Sequence, residues 1–496
     1  MRNLLRSQRG SAAFATVIAL VPLIGAVGLG AEAASWYVTR QQGQNAADAA
    51  AYAGALRLSC DIAGAANCGT SVDTQSRVFA AQNAFCNAGD SYAGCATSLP
   101  SQVARTVQVD IGNYSAGSFT TPAVGTGNAV RVRVSQQQPA YLVAVLGLGG
   151  PVNIPAQAIA MVQNPSKVCG LALGPDPNGG GALKIGGNVS NNGTGCPLMS
   201  DGTVQFASTP TFSGAGWGVY SATGCSPNST CGNVSTTHNY FMPSAMDPLQ
   251  GLQTASFNNT FTNTTISGNT KLASGACPGS APAGSTKCYP ISPNAPASAY
   301  GNINVSNGDY YYCPAANPAN YYFSGNVTIG GGTFACNPGS PVTAYFKSGI
   351  TVNSGGTLTL AAGTYLFNGD VSLGGTVTGA NVTLVLLGNS KFTLNGGGVN
   401  LSAPTTNAFS SALNGVLIDD QSTGAVNING NGSVQLAGAM YFPNTDVSFG
   451  GTTQPSNTTC SEVIAKTLNM TGSAYLSTDS CVPSTIAYTQ VVALVQ

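Results

Sequence analysis

Few residues in this 496-residue chain are placed to do chemistry. Asp419-Asp420 is the one adjacent acid pair. Two carboxyls serve acid–base chemistry, or hold a cation, only if both reach the same point. Neighbours on a strand face opposite ways, so this pair could cooperate only at a corner, where oxygen ligands could converge on calcium; otherwise it is a solvated turn. The single histidine, His238, stands alone in "STTHNYFMP" and reads as a loop residue with no serine or cysteine nucleophile beside it. "GGGALKIGG" holds glycines and a lysine, but not in phosphate-loop order. The 14 cysteines lack the clustered CxxC spacing that zinc favours. Their even number fits disulfides, and spacing suggests Cys60 with Cys68, Cys86 with Cys95, Cys225 with Cys231, and Cys277 with Cys288. Cys169 and Cys196 are left without an assignment. No catalytic residue, cofactor or metal ligand is expected.

The elements that carry these residues begin at the N-terminus. Arg2, Arg6 and Arg9 precede Gly10–Ala31, a run of 22 uncharged residues. About 20 apolar residues cross a bilayer, and basic residues before the span put the N-terminus in the cytoplasm. We therefore expect residues 1–9 inside, an anchor helix over 10–35 in a bacterial inner membrane, and the bulk periplasmic or extracellular, where disulfides persist. A cleaved signal peptide is the competing reading, with "AEAAS" as its cleavage site. Trp36 and Tyr37 fit the outer aromatic belt. Glu32, at the outer end of the span, reads either as an interfacial carboxylate or as a contact to a partner helix.

Charge divides the chain. Residues 1–163 hold nine Arg and six acids, net +3; residues 164–496 hold seven Lys, ten acids and no Arg, net −3. Overall only 6% of residues are charged and net charge is zero, which gives no basis for a nucleic-acid partner. In residues 36–163 the Ala- and Gln-rich stretch extends the first helix to about Leu58. "VDTQSRVFAAQNAFCNAG" reads as a second helix stopped by Gly89, "RTVQVDI" and "AVRVRVS" as strands, "PAYLVAVLGLGG" as a short apolar helix, and "VNIPAQAIAMV" as a closing strand. The plan is a small α/β pilin-like module.

These N-terminal residues resemble a family. Arg9-Gly10, the span with Pro22, Glu32, Trp36-Tyr37 and the block Gln44-Asn45-Ala46-Ala47-Asp48-Ala49-Ala50 are similar to the N-terminal module of TadG-like proteins of tight-adherence (Tad, or Flp) pilus assembly. "YLVAVLGLGGPVNIPAQAIAMV" is similar to the module's closing segment. The resemblance covers residues 9–163. It implies an inner-membrane pilus-assembly or minor-pilin-like component, with pilus-assembly proteins or pilins as partners and Glu32, Trp36, Tyr37, Asn45 and Asp48 as assembly candidates. Prepilin processing at Gly10 would want Glu at the fifth following residue, where Ala15 stands. The metal-binding loop of the von Willebrand A-type domain that often follows is missing from this sequence, and a different region takes its place.

Residues 164–496 are rich in Gly, Asn, Ser and Thr and repeat a phrase. "VTIGG" at 327, "ITVNSGG" at 350, "VSLGG" at 371, "FTLNGG" at 392, "VNINGNG" at 426, "VSFGG" at 447 and "LNMTG" at 468 align Ile329, Val352, Leu373, Leu394, Ile428, Phe449 and Met470. The steps are 23, 21, 21, 34, 21 and 21 residues, the long one holding a loop over 402–414. A second strand recurs as "TAYF", "TYLF", "TLVLL", "GVLI" and "AMYF". A fixed period of strand–turn units predicts a right-handed parallel β-helix whose aligned residues stack in interior ladders. A β-sandwich, the alternative, would not keep the period. Cys313–Cys336 and Cys460–Cys481 are 23 and 21 apart and fit bridges between adjacent coils. Asp370 and Lys391, also 21 apart, predict a stacked ion pair. Residues 167–235 read as early coils and 236–300 as a Pro-rich lateral insertion.

Functionally, the expectation is a non-enzymatic structural or adhesive protein that displays the β-helix. The alternative is a surface polysaccharide lyase or hydrolase on the same fold. Tyr310–Tyr312 and Tyr321-Tyr322 would be the residues to stack on surface glycans if exposed.

Overall fold

The computed structural model describes residues 8–63, 68–96, 98–141, 150–174, 181–187, 189–190, 196–213, 215–255, 257, 265–314, 319–336, 341–452 and 459–496. They form two compact units, residues 1–163 with 491–496, and residues 164–490.

In the first unit α1 (Gln8–Ala63) is one continuous helix, about 84 Å long at about 1.5 Å per residue. Within it Phe14, Val17, Ile18, Leu20, Leu23, Ile24 and Val27 are exposed. α2 (Val72–Gln82) starts where the Ser71 hydroxyl accepts the Thr74 N–H at 3.1 Å. It ends seven residues before Gly89, because the chain turns through Ala84 at φ 65° and sends Phe85 back into the core. β1 (Ala104–Ser115), β2 (Ser118–Thr120), β3 (Ala129–Gln138) and β4 (Val152–Gln163) make an antiparallel sheet in the order β2-β1-β3-β4. Val491–Leu494 joins it beside β4, Leu494 opposite Ala160. By composition residues 491–496 belong with the β-helix region 164–496. The pairing corrects that: β4 would otherwise present an open edge. The apolar segment at 142–149 lies outside the described residues.

The second unit is a parallel β-solenoid of about 11 turns, and the β-sandwich alternative is not favoured. Each coil has three faces, as in Val327–Ile329, Thr333–Ala335 and Val342–Phe346. On the first face Val305, Ile329, Val352, Leu373, Leu394 and Ile428 stand in register along the axis, and Phe449 pairs with Met470. All are buried, alternating with outward Thr351, Ser372 and Thr393. Lys391 and Asp370 meet differently from the expected ion pair: the Lys391 backbone N–H donates to the Asp370 carboxylate at 3.0 Å. The coil corner brings an amide rather than an ammonium to the acid.

Coil order does not follow chain order. Val463 and Leu468 pair with Gly170 and Leu183, so residues 167–239 stack beyond residue 470 rather than before residue 302. The chain must then return from Asn239 to the far end, where Lys287–Pro290 pairs with Asp309–Tyr312. Residues 245–255, Phe257 and Ile266 lie as a strap along the third face. Ala245, Leu249, Leu252, Phe257 and Ile266 of the strap pack on the outward side chains Tyr345, Leu366, Val385, Tyr441, Ile464 and Leu171. This second core lies outside the coils, and it explains why that face alone is apolar on both sides.

Disulfides fasten the solenoid. Cys169–Cys196 and Cys313–Cys336 join neighbouring coils, with Cα separations of 5.8 and 4.7 Å, and Cys460–Cys481, at 4.6 Å, ties the start of the strand Ser461–Met470 to the segment that turns back antiparallel at Ser477. Cys225–Cys231 and Cys277–Cys288 close loops at the two ends of the stack, where unpaired strand edges would invite other chains.

Candidate functional site

Two groups of residues are candidates: the exposed side of α1 and the carboxyls of the solenoid. On α1 the Ala-rich block is explained by packing. Ala46, Ala47, Ala50, Ala51 and Ala55 are fully buried against Val130, Val132, Val134 and Ala158 of the sheet. Gly43 and Gly54, which weaken a helix by about 1 kcal/mol each, stand where the helix is tightest. A Cβ on Gly43 would lie 3.3 Å from Ala156, and one on Gly54 would overlap the Ser76 hydroxyl.

The other side of α1 stays open. Tyr37, Val38, Asn45, Tyr52 and Leu56 are exposed and Trp36 is half-buried. Tyr37 accepts from the Gln41 amide at 3.2 Å, and Asp48 accepts from the Gln44 amide at 2.7 Å. Glu32 is buried, and its Oε1 accepts the Tyr141 N–H at 2.7 Å. That oxygen is therefore used within its own unit. Cys60–Cys68 and Cys86–Cys95 tie the ends of the two helices, with Cα separations of 5.7 and 5.8 Å.

The carboxyls do not form a solvent-facing site. Asp419 and Asp420 are fully buried on the strand Val416–Asp420, which corrects the reading of a solvated turn. They point oppositely. Asp420 aligns with inward Leu386 and accepts the Ser422 N–H at 2.9 Å. Asp419 aligns with Val385 and Tyr441 beneath the strap and accepts from the Gln421 amide at 3.0 Å. Burial pushes Asp419 up to about 8 and Asp420 up to about 7.

Three more acids line the strap and its surroundings with no motif to mark them: Asp201 and Asp247 are half-buried and Glu462 is fully buried. Asp201 accepts the Ala245 N–H at 2.6 Å, and burial pushes it up to about 8. Asp247 accepts the Tyr441 hydroxyl at 2.9 Å and is raised by burial. Glu462 accepts the Ala487 N–H at 2.8 Å and is raised well above its usual value by burial. None of the five is ion-paired. Cys460, Glu462 and Cys481 are close enough to suggest a metal site, but the two sulfurs are bonded to each other.

The aromatic candidates are part of the packing. Tyr310, Tyr311 and Tyr321 are buried; Tyr311 stacks on Tyr289 at 4.4 Å and Tyr322 on Tyr345 at 4.8 Å. His238 lies exposed in the strand Thr237–Asn239, its ring against Tyr240.

Residues 10–57 match the family model of putative Flp pilus-assembly TadE/G-like proteins. This TadE/G-like segment is α1 almost whole, from the apolar run through the buried Ala block. It contains Glu32, Trp36, Tyr37, Asn45 and Asp48 and does not reach the closing strand β4. No curated protein and no solved structure matches the chain.

Proposed function

We propose that this chain is a membrane-anchored component of a Tad/Flp pilus system, in which α1 anchors and docks the protein and the solenoid serves as a structural or adhesive body outside the cytoplasm. The observation that carries the reading is the coincidence of three features on one helix. The TadE/G-like match, an apolar stretch long enough to cross a membrane, and an outer segment packed on its own small domain all fall on α1. Arg2, Arg6 and Arg9 favour a cytoplasmic N-terminus. The disulfide-bonded cysteines favour an oxidising compartment. A non-enzymatic role is supported by the buried, divergent carboxyls, which a polymeric substrate could not reach.

The full-length protein should co-purify with pilus components, and exchange of residues 1–60 for an unrelated anchor should abolish this. Co-purification that survives the exchange would move the docking function off α1. Depolymerisation of a glycan by the full chain, lost in Asp419→Asn or Asp420→Asn, would replace this reading with the enzymatic one.

A further inference from the structure

We propose that residues 240–255 and 265–275 act as a releasable strap, held closed over the outer column of the solenoid while Asp247 and Asp419 are neutral and let go when they ionise. The geometry concentrates the polar fastening of the strap on acids. Asp247, on the strap, meets the solenoid through the Tyr441 hydroxyl. Gln253, also on the strap, donates to that hydroxyl at 2.8 Å. Gln421 bridges the seam, donating at 3.2 Å to the Leu252 carbonyl and at 3.0 Å to Asp419. Asp419 keeps its other oxygen, Oδ1, buried and without a hydrogen-bond partner. A proton on that oxygen is tolerable; a full charge there is costly.

Among the described residues no cation pairs with either carboxyl. Tyr441, Asp201 and Glu462 face Asp247, and Asp420 and Tyr441 face Asp419. Tyr488 pairs with Met246 beside them. Lys347 belongs to the other part of the seam, where its Nζ donates to the Ile266 carbonyl at 3.0 Å. Residues 164–496 hold no arginine. Burial raises both carboxyls, Asp419 to about 8, so the closed strap takes up protons that the open one releases. Opening would uncover Tyr345, Leu366, Val385, Tyr441 and Ile464, an apolar stripe along the coils interrupted at Asp419.

The test is hydrogen exchange of the full chain in detergent between pH 6 and pH 9, read by peptide mass spectrometry and corrected for intrinsic rates. Peptides within 242–255 and 265–275 should lose protection by up to about tenfold per pH unit for each carboxyl that ionises on opening, while β3 of the other unit keeps its own. Asp247→Asn and Asp419→Asn should each flatten the slope. Tyr441→Phe should loosen the strap at every pH without changing the slope. Strap protection independent of pH, equal loss in β3, or an unchanged slope in both asparagine variants would overturn the proposal.

Discussion

Asp420→Asn isolates the cost of placing a carboxyl in the interior of the coils. Asp420 occupies a position in line with inward Leu386 and is fully buried. Burial raises its pKa from 3.8 to about 7. The unfolded chain releases this proton above about pH 4 while the folded chain keeps it to about pH 7. Folding stability therefore falls as pH rises between these values and levels off beyond them. At about 1.4 kcal/mol per unit, the Asp420 contribution drops by about 3 kcal/mol between pH 5 and pH 8.5. Asparagine keeps an acceptor for the Ser422 N–H and has no charge to bury. The advantage of the variant over the parent should grow by about 3 kcal/mol between pH 5 and pH 8.5. Urea unfolding followed by Trp217, which is buried in the solenoid, reads this in a Trp36→Phe background. With a slope of about 3 kcal/mol per M, the separation of the midpoints should widen by about 1 M over that range. A difference between variant and parent that does not change with pH, or that grows toward acid, would refute the reasoning.

Leu394→Ala should cost about 3 kcal/mol, since Leu394 is fully buried between Leu373 and Ile428, whereas its outward neighbour Thr393→Ala should cost less than about 0.5 kcal/mol; equal costs would contradict the register. Gly54→Ala should lower stability by about 1 kcal/mol despite its gain in helix propensity, because the added methyl overlaps the Ser76 hydroxyl, and Ser76→Ala should restore it in a thermal melt. Burial alone would raise Asp110, but its bonds to Arg131 and Arg133, both at 2.9 Å, outweigh that and hold it below its usual value. Its stabilisation is present above about pH 4 and lost as acid titrates the folded carboxylate, so Asp110→Asn should destabilise the first unit at pH 7 by about 1–2 kcal/mol and progressively less toward pH 2, read by circular dichroism.

The β-helix was legible because its period is written in local chemistry. "VSLGG" and "FTLNGG" place Leu373 and Leu394 inward by simple alternation, and glycine-rich corners end each strand. The long apolar helix was equally open to reading. The strap was not recognised, although a signal for it was present. "YLF" (365–367) and "LVLL" (384–387) are apolar at every position, unlike the alternating "VSL" strands, and a strand apolar on both sides requires a cover on both. The acids at the seam were hidden for a different reason. Asp201, Asp247 and Glu462 are separated by as many as 261 residues and carry no motif; only the seam brings them together.

By itself the sequence determined local form: a helix long and apolar enough to span a bilayer, and coils of fixed period with alternating inward residues. Both follow from near-neighbour periodicity, which a linear chain states directly. The tertiary structure decided the order of the coils, the route of the strap and the burial of the carboxyls. Which coil stacks on which depends on pairings as distant as Leu183 with Leu468, and such a choice is made by whole surfaces rather than by any short stretch.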